Sequence, residues 1–250
     1  VAIGYSIKAN IEDHFSRKVG LIVSGGVPGF TNHITLNGAQ NNTFTGDVNI
    51  SDHAGVLLQK EGGARAICGN IFVNDNGYLA LGLSNQIADI STVTLNGSRG
   101  TANLLFHSFL SRDISEKIHK LIVNNKGLID FSPQWQAGTH PHGLRYLYLD
   151  DLQVTAGSQL LINGWALGRV HLLVRKNGTH LKDSLMRIRF SGKSAGWRGG
   201  LKNYNKDYWQ IIPDLPEPTA YGASLSATGL VLWFCRRRLP STTANERVAQ

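Results

Sequence analysis

Ile71-Phe72-Val73-Asn74-Asp75-Asn76-Gly77-Tyr78-Leu79-Ala80-Leu81 is two short apolar runs joined by a polar corner that ends in glycine. The same arrangement occurs as Val48-Asn49-Ile50 followed by Gly55-Val56-Leu57-Leu58, and as Leu121-Ile122-Val123-Asn124 followed by Gly127-Leu128-Ile129-Asp130-Phe131. A fourth copy is Leu152-Gln153-Val154 followed by Gly157-Ser158-Gln159-Leu160-Leu161-Ile162. A second phrase, Ile34-Thr35-Leu36-Asn37-Gly38, returns as Val93-Thr94-Leu95-Asn96-Gly97. β-branched and aromatic runs suit strands, while Gly and Asn supply the left-handed backbone of tight corners. A first spacing in the twenties fits a β-solenoid, in which each coil buries Val, Ile and Leu against the coils above and below. A β-sandwich also repeats its strands at regular spacing. The likeness of the copies to one another in sequence favours the solenoid.

Residues 34–97 carry a resemblance. Asn42-Thr43-Phe44-Thr45-Gly46-Asp47-Val48-Asn49-Ile50, the later Ser84-Asn85-Gln86-Ile87-Ala88-Asp89 and Val93-Thr94-Leu95-Asn96-Gly97 resemble the autotransporter-associated β-strand repeat. That resemblance implies a right-handed parallel β-helix exposed at a bacterial surface, and it implies no activity. No barrel-forming segment follows within these residues, so self-translocation is not expected.

The expected organisation is 1–132 as solenoid repeats, N-terminally incomplete, and 133–212 as the last coils with a β-rich cap. A sorting signal over 213–238 and a polar tail over 239–250 complete it. Asp113 to Val123 reads as a short helical turn or a strand pair: Ile114, Ile118, Leu121 and Ile122 have helical spacing, the Ile-Val continuation suits a strand, and a short helix or irregular turn before a strand is the preferred reading. Leu185-Met186-Arg187-Ile188-Arg189-Phe190 alternates as a half-buried strand does. Tyr208-Trp209-Gln210-Ile211-Ile212-Pro213 closes the cap, which shields the edge that a solenoid end would otherwise expose.

With 42% hydrophobic and 17% charged residues, the 250-residue chain is neither disordered nor a multispan membrane protein. Its net charge of +8 is scattered, and no nucleic-acid-binding motif accompanies it, so nucleic acid is not an expected partner. Cys68 lies in the body and Cys235 in the apolar tail, a placement unlike a structural disulfide. Position 1 is valine and no signal peptide opens the chain. Because export needs such a signal, a fragment, a processed form or a misplaced gene start is expected.

No enzymatic motif stands out. The sequence has no nucleophile elbow, phosphate loop or dinucleotide fingerprint, and no cofactor is expected. Asp150-Asp151 is the best catalytic candidate, since β-helix enzymes acting on polysaccharide use acidic clusters. Adjacent strand residues point to opposite faces, however, so a polar turn between two strands is the preferred reading. His140-Pro141-His142 lacks a third metal ligand at sensible spacing and reads as a loop between Gly138 and Gly143. Trp165, Trp197 and Tyr204 suit sugar stacking, with core or cap packing preferred.

The tail is more explicit. Pro213-Asp214-Leu215-Pro216-Glu217-Pro218 is an extended linker, because its prolines fix φ and disfavour helix in the residues before them. Tyr221 to Cys235 carries no charge, and Arg236, Arg237 and Arg238 follow. As a helix the run would be about 22 Å long, short against a bilayer core of about 30 Å. Leu225, Leu230, Val231, Leu232 and Trp233 are expected to insert, with the arginines setting a C-terminus-inside orientation. Against a buried core helix stand Gly222, Ser224, Ser226, Thr228 and Gly229.

Pro216-Glu217-Pro218, the apolar run and the arginine triplet together resemble the PEP-CTERM sorting signal of Gram-negative bacteria. The resemblance implies recognition of Pro216, Glu217 and Pro218 by an exosortase-type membrane protease and a membrane stage in the lipid bilayer. It then implies residence at the cell surface or in the extracellular matrix, with exopolysaccharide as a further partner. Family members stop soon after the arginines, whereas this chain continues from Leu239 to Gln250. The resulting expectation is a non-catalytic exported surface or matrix protein. A polysaccharide-active β-helix enzyme and a permanently anchored adhesin are the alternatives.

Overall fold

One column of side chains sets the architecture. Val48 pairs in register with Ile71, Ile71 with Val93, Val93 with Leu121, and Leu121 with Leu152, every neighbouring pair parallel. All five are fully buried. Each such aliphatic side chain contributes about 1.5–3 kcal/mol by leaving water, so the register that stacks them is strongly preferred over a one-residue slip, which would turn the column outward. The computed structural model describes residues 3–8, 10–26, 32–107, 112–132, 143–192 and 196–214. It is an all-β, right-handed β-solenoid with a sheet region at its C-terminal end and one short helix.

The coils have three sides. The first side stacks β2 (Leu21–Val23), β4 (Val48–Ile50) and β6 (Ile71–Asn74), then the start of β8 (Thr92–Phe106), the middle of β9 (Ile114–Asp130) and the end of β10 (Arg145–Val154). The second side stacks β1 (Ile3–Ile7), β3 (Asn32–Gly38), β5 (Ala54–Lys60) and β7 (Tyr78–Leu81), then the ends of β8 and β9, β11 (Gln159–Asn163) and β13 (Ile188–Phe190). Its inner column runs Val56, Leu79, Leu104, Ile129, Ile162, Phe190. Because β8, β9 and β10 turn corners without breaking, all fifteen strands belong to one continuous sheet.

Corners between the first and second sides are built from left-handed residues, among them Asp52, His53, Asp75, Asn76 and Asn125. Asparagine is among the few non-glycine residues that tolerate that region. Its amide also links one coil to the next: Asn96 Nδ2 donates to Asn74 Oδ1 at 3.3 Å, and Asn125 Nδ2 donates to Asn96 Oδ1 at 3.0 Å. At the corner leading into the first side the chains crowd. A Cβ on Gly69 would lie 2.0 Å from the carbonyl oxygen of Gly46, so only glycine fits there.

The third side changes along the axis. In the last coils it is regular: the start of β9, β10 and β12 (Val170–Arg175) are parallel partners. β15 (Tyr208–Pro213) then pairs antiparallel with β12, and β14 (Gly199–Asn203) antiparallel with β15. This hairpin reverses strand direction and ends the parallel stack. In the last coil the first side is closed by α1 (Leu181–Leu185), whose Ser184 Oγ accepts from Val154 N–H at 2.9 Å.

Expectations are corrected within the described body: of Leu185 to Phe190 only Ile188–Phe190 is strand, because Leu185 ends α1 and Met186 caps it. Asp113 to Val123 forms no helix or irregular turn; Ile114–Asp130 is one bent strand. Nor is Asp150-Asp151 a turn between strands, since both residues lie inside β10. For the last two the reason is the same. At the corner between the third and first sides two successive residues face outward, His119-Lys120 in β9 and Asp150-Asp151 in β10, so the inward positions Ile118 and Leu121 fall three apart and imitate a helical period.

A further correction concerns the membrane. Among the described residues no helix is long and apolar enough to cross a bilayer. α1 has five residues, about 7 Å against a bilayer core of about 30 Å. On that finding the transmembrane helix, the lipid bilayer and membrane protease as partners, and the membrane stage of localisation are withdrawn. The residues named for those roles, Pro216, Glu217, Pro218, Leu225, Leu230, Val231, Leu232, Trp233 and Arg236 to Arg238, lie outside the described residues, as do Cys235 and His140-Pro141-His142.

Candidate functional site

Among the described residues, the corner between the third and first sides carries a cluster of paired charged side chains. Parallel pairing stacks His119 beside Asp150 and sets Lys120 opposite Asp151. His119 Nδ1 lies 3.4 Å from Asp150 Oδ2, and Arg175 Nε lies 3.0 Å from Asp150 Oδ1. Lys120 Nζ lies 3.4 Å from Asp151 Oδ2, and His180 Nδ1 lies 2.5 Å from the same oxygen. His180 N–H also donates to Asp151 Oδ1 at 3.2 Å. One coil earlier, Lys117 Nζ lies 3.3 Å from Asp89. Each carboxylate therefore bridges cations from neighbouring coils.

What this arrangement can do chemically is limited. Burial pushes the Asp151 carboxyl up, but the His180 hydrogen bonds outweigh it and hold the group below its ordinary range. Asp151 is thus an ionised acceptor already in use, unlike a proton donor poised near neutrality. Thr179 Oγ1 approaches His180 Nδ1 at 2.8 Å and Asp151 Oδ2 at 3.4 Å. A nucleophile–base–carboxylate relay needs the hydroxyl and the carboxylate on opposite ring nitrogens. Here both sit at Nδ1, so Thr179 is not activated. No group of three or more metal-ligating side chains occurs among the described residues.

Beside the corner, the outer face of the last coils is aromatic. Tyr146 stacks on His171 with centroids 4.6 Å apart, Tyr148 meets Tyr208 edge-on at 5.4 Å, and Tyr204 lies 5.6 Å from His171. Lys176 Nζ sits 4.8 Å above the Trp209 ring. Leu173, whose register partners are Tyr148 and Gln210, is fully buried on this outer side. The rings thus form a small secondary core. Trp165 packs edge-on to Phe190 at 6.0 Å and against the main core, and Trp197 is half-buried. Of these aromatic residues, Tyr204 is 38% exposed.

A polar row inside the third side is absent from the expectations drawn on sequence. Asn42 Oδ1 accepts from Ile11 N–H at 3.1 Å while its Nδ2 donates to the Ala66 carbonyl at 2.8 Å. Gln86 Oε1 accepts from Lys60 N–H at 2.7 Å, and its Nε2 donates to the carbonyls of Lys60 and Ser84. Glu116 accepts from Gln86 N–H at 2.8 Å and Ile87 N–H at 3.1 Å. Burial pushes the Glu116 carboxyl up to about 8, against the pull of those two donors. The signal that could have found the row was in the repeat phrases: Asn42 opens one and Gln86 sits in the other.

No family model, curated protein or solved structure matches the chain.

Proposed function

We propose that the chain is a non-catalytic scaffold protein of a bacterial surface or extracellular matrix, with Pro216, Glu217 and Pro218 as its sorting signal. The observation that carries the reading is the use made of Asp150 and Asp151. Their carboxylates are engaged with His119, Arg175, Lys120 and His180 from adjoining coils, which supports a structural role for the pair. Delivery is supported by the tail motif alone.

Incubating the full chain with acidic and neutral glycans tests the first half. No turnover is expected; turnover abolished by Asp150→Asn or Asp151→Asn would overturn the scaffold reading in favour of a polysaccharide-active enzyme. For the second half, alanine at Pro216, Glu217 and Pro218 should abolish surface display of a tagged chain in the producing cell. Undiminished display would remove the sorting role.

A further inference from the structure

Charge is unevenly divided along the solenoid. Residues 1–142 hold ten Lys or Arg and ten Asp or Glu, whereas residues 143–214 hold eleven and five. Most of the positive excess that reads as scattered along the chain therefore belongs to the last coils and the hairpin of β14 and β15. Two of those five acids, Asp150 and Asp151, are already matched by Arg175, Lys120 and two histidines. Lys202 and Lys206 are exposed. A patch of one sign attracts a polyanion and speeds its encounter.

The patch has a built centre. Between the end of β12 and the turn joining β14 to β15 lies an open cavity of about 370 Å³, lined by Arg175, Lys176, Asn177, Lys206, Asp207 and Tyr208. Two of its cations are held in place. Arg175 reaches Asp150 at 3.0 Å and hydrogen-bonds Tyr208. Lys176 Nζ donates to Asn203 Oδ1 at 2.7 Å while resting over the Trp209 ring. Lys202 lies opposite Gln210, and Gln210 opposite Leu173, so Lys202 shares the outer face with Leu173. Arg175, two residues on from Leu173 in β12, faces the same way.

We propose that this end of the solenoid binds an acidic polysaccharide, a chain of uronic acid residues whose carboxylates lie against Lys176, Lys202 and Lys206. The Asn177 amide and the Tyr208 hydroxyl suit sugar hydroxyls, and the exposed Tyr204 suits the apolar face of a sugar. Asp207 on the same wall repels a dianion more than a monoanion, which favours carboxylates over phosphate monoesters. Single-stranded nucleic acid stacks its bases on open ring faces; here Lys176 covers Trp209 and His171 covers Tyr146. Binding is separate from turnover and from display, so its absence would leave the scaffold reading standing.

Calorimetric titration of the full chain with polygalacturonate oligomers, at low and at physiological salt, tests it. The oligomers should bind, more weakly as salt rises, and the same oligomers with their carboxyls reduced to alcohols should not. Lys206→Glu should lower affinity about tenfold. Lys126→Glu makes the same change of net charge at an exposed corner of the neutral part and should cost less than about twofold. Tyr204→Ala should cost about threefold through the lost ring contact. The proposal fails if the oligomers do not bind, if the reduced oligomers bind as well, or if Lys126→Glu costs as much as Lys206→Glu. It also fails if single-stranded oligothymidylate of equal charge binds more tightly than polygalacturonate.

Discussion

Asn42 and Gln86 do for the third side of the early coils what the ladder between β9, β10 and β12 does for the late ones. In the late coils the backbone groups of this side pair with one another in register, and the inward positions Leu147 and Leu172 are free to be apolar. In the early coils the corresponding stretches make only isolated backbone contacts, such as Asn42 N–H to Arg65 O and Ala66 N–H to Gln86 O. Unpaired backbone groups then face the interior, where each costs about 1–3 kcal/mol. Buried amides, with both donor and acceptor, satisfy them. Glu116 stands at the junction: it occupies the ladder position beside Leu147, yet its carboxyl reaches back to Gln86 and Ile87.

The comparison breaks most visibly at Gln86. Gln86→Leu keeps the volume and strands Lys60 N–H along with the carbonyls that Nε2 serves. A loss of about 3–5 kcal/mol in urea unfolding is expected from those orphaned groups. Hydrogen exchange should locate the loosening at Lys60 to Ile87 and spare β10 and β12. Equal loosening of both regions would mean that the amides do not hold the early coils separately.

Glu116 gives the next largest effect, as a dependence on pH. Its ordinary value is 4.5, and in the fold it lies at about 8. Between those values the unfolded chain has released the proton that the folded chain keeps, so stability falls as pH rises. The slope for one proton is about 1.4 kcal/mol per pH unit, or roughly 3 kcal/mol between pH 5.5 and 8. Glu116→Gln should flatten that slope, at the expense of an acceptor for one backbone N–H. A wild-type profile level across this range would show that the two donors keep the carboxyl ionised.

How much of this was readable beforehand differs between the same regions. The first and second sides were legible because Val48, Ile50, Ile71, Val73, Val93 and Leu95 alternate with outward residues and repeat at nearly constant spacing. The third side was not, because its inward residues Asn42, Gln86 and Glu116 are polar and read as turn or surface. Outward doublets at the corners hid β9 and misplaced Asp150-Asp151. Repetition of phrase was also an imperfect guide to place. Ile34 to Gly38 lies on the second side, while the similar Val93 to Gly97 lies on the first. Both end in Asn-Gly because both approach a corner, and nothing in five residues says which.

Leu147→Ala probes the late coils by cavity alone. Parallel pairing of its backbone with β9 and β12 survives the substitution, so the expected loss is about 2–3 kcal/mol, towards the lower end for buried leucine. Unlike Gln86→Leu, it should leave the exchange rates of Lys60 to Ile87 unchanged. A loss greater than that of Gln86→Leu would reverse the ranking of the two regions.

The smallest effect belongs to the charged corner. Asp151 is 14% exposed on its side chain, and its partners Lys120 and His180 are 21% and 42% exposed. Pairs this close to water contribute about 0–1 kcal/mol each, and His180 N–H can still donate to an amide oxygen. Asp151→Asn should therefore lower stability by under about 1 kcal/mol at neutral pH, with the difference shrinking in high salt. The group's pKa is held below its ordinary value of 3.8, so its contribution is present above that value and fades as pH falls through the folded one. In the variant that part of the acid limb should vanish. A cost above 2 kcal/mol, insensitive to salt, would place the corner on a level with the buried amides. Register in the late coils would then be set at the surface as much as in the core.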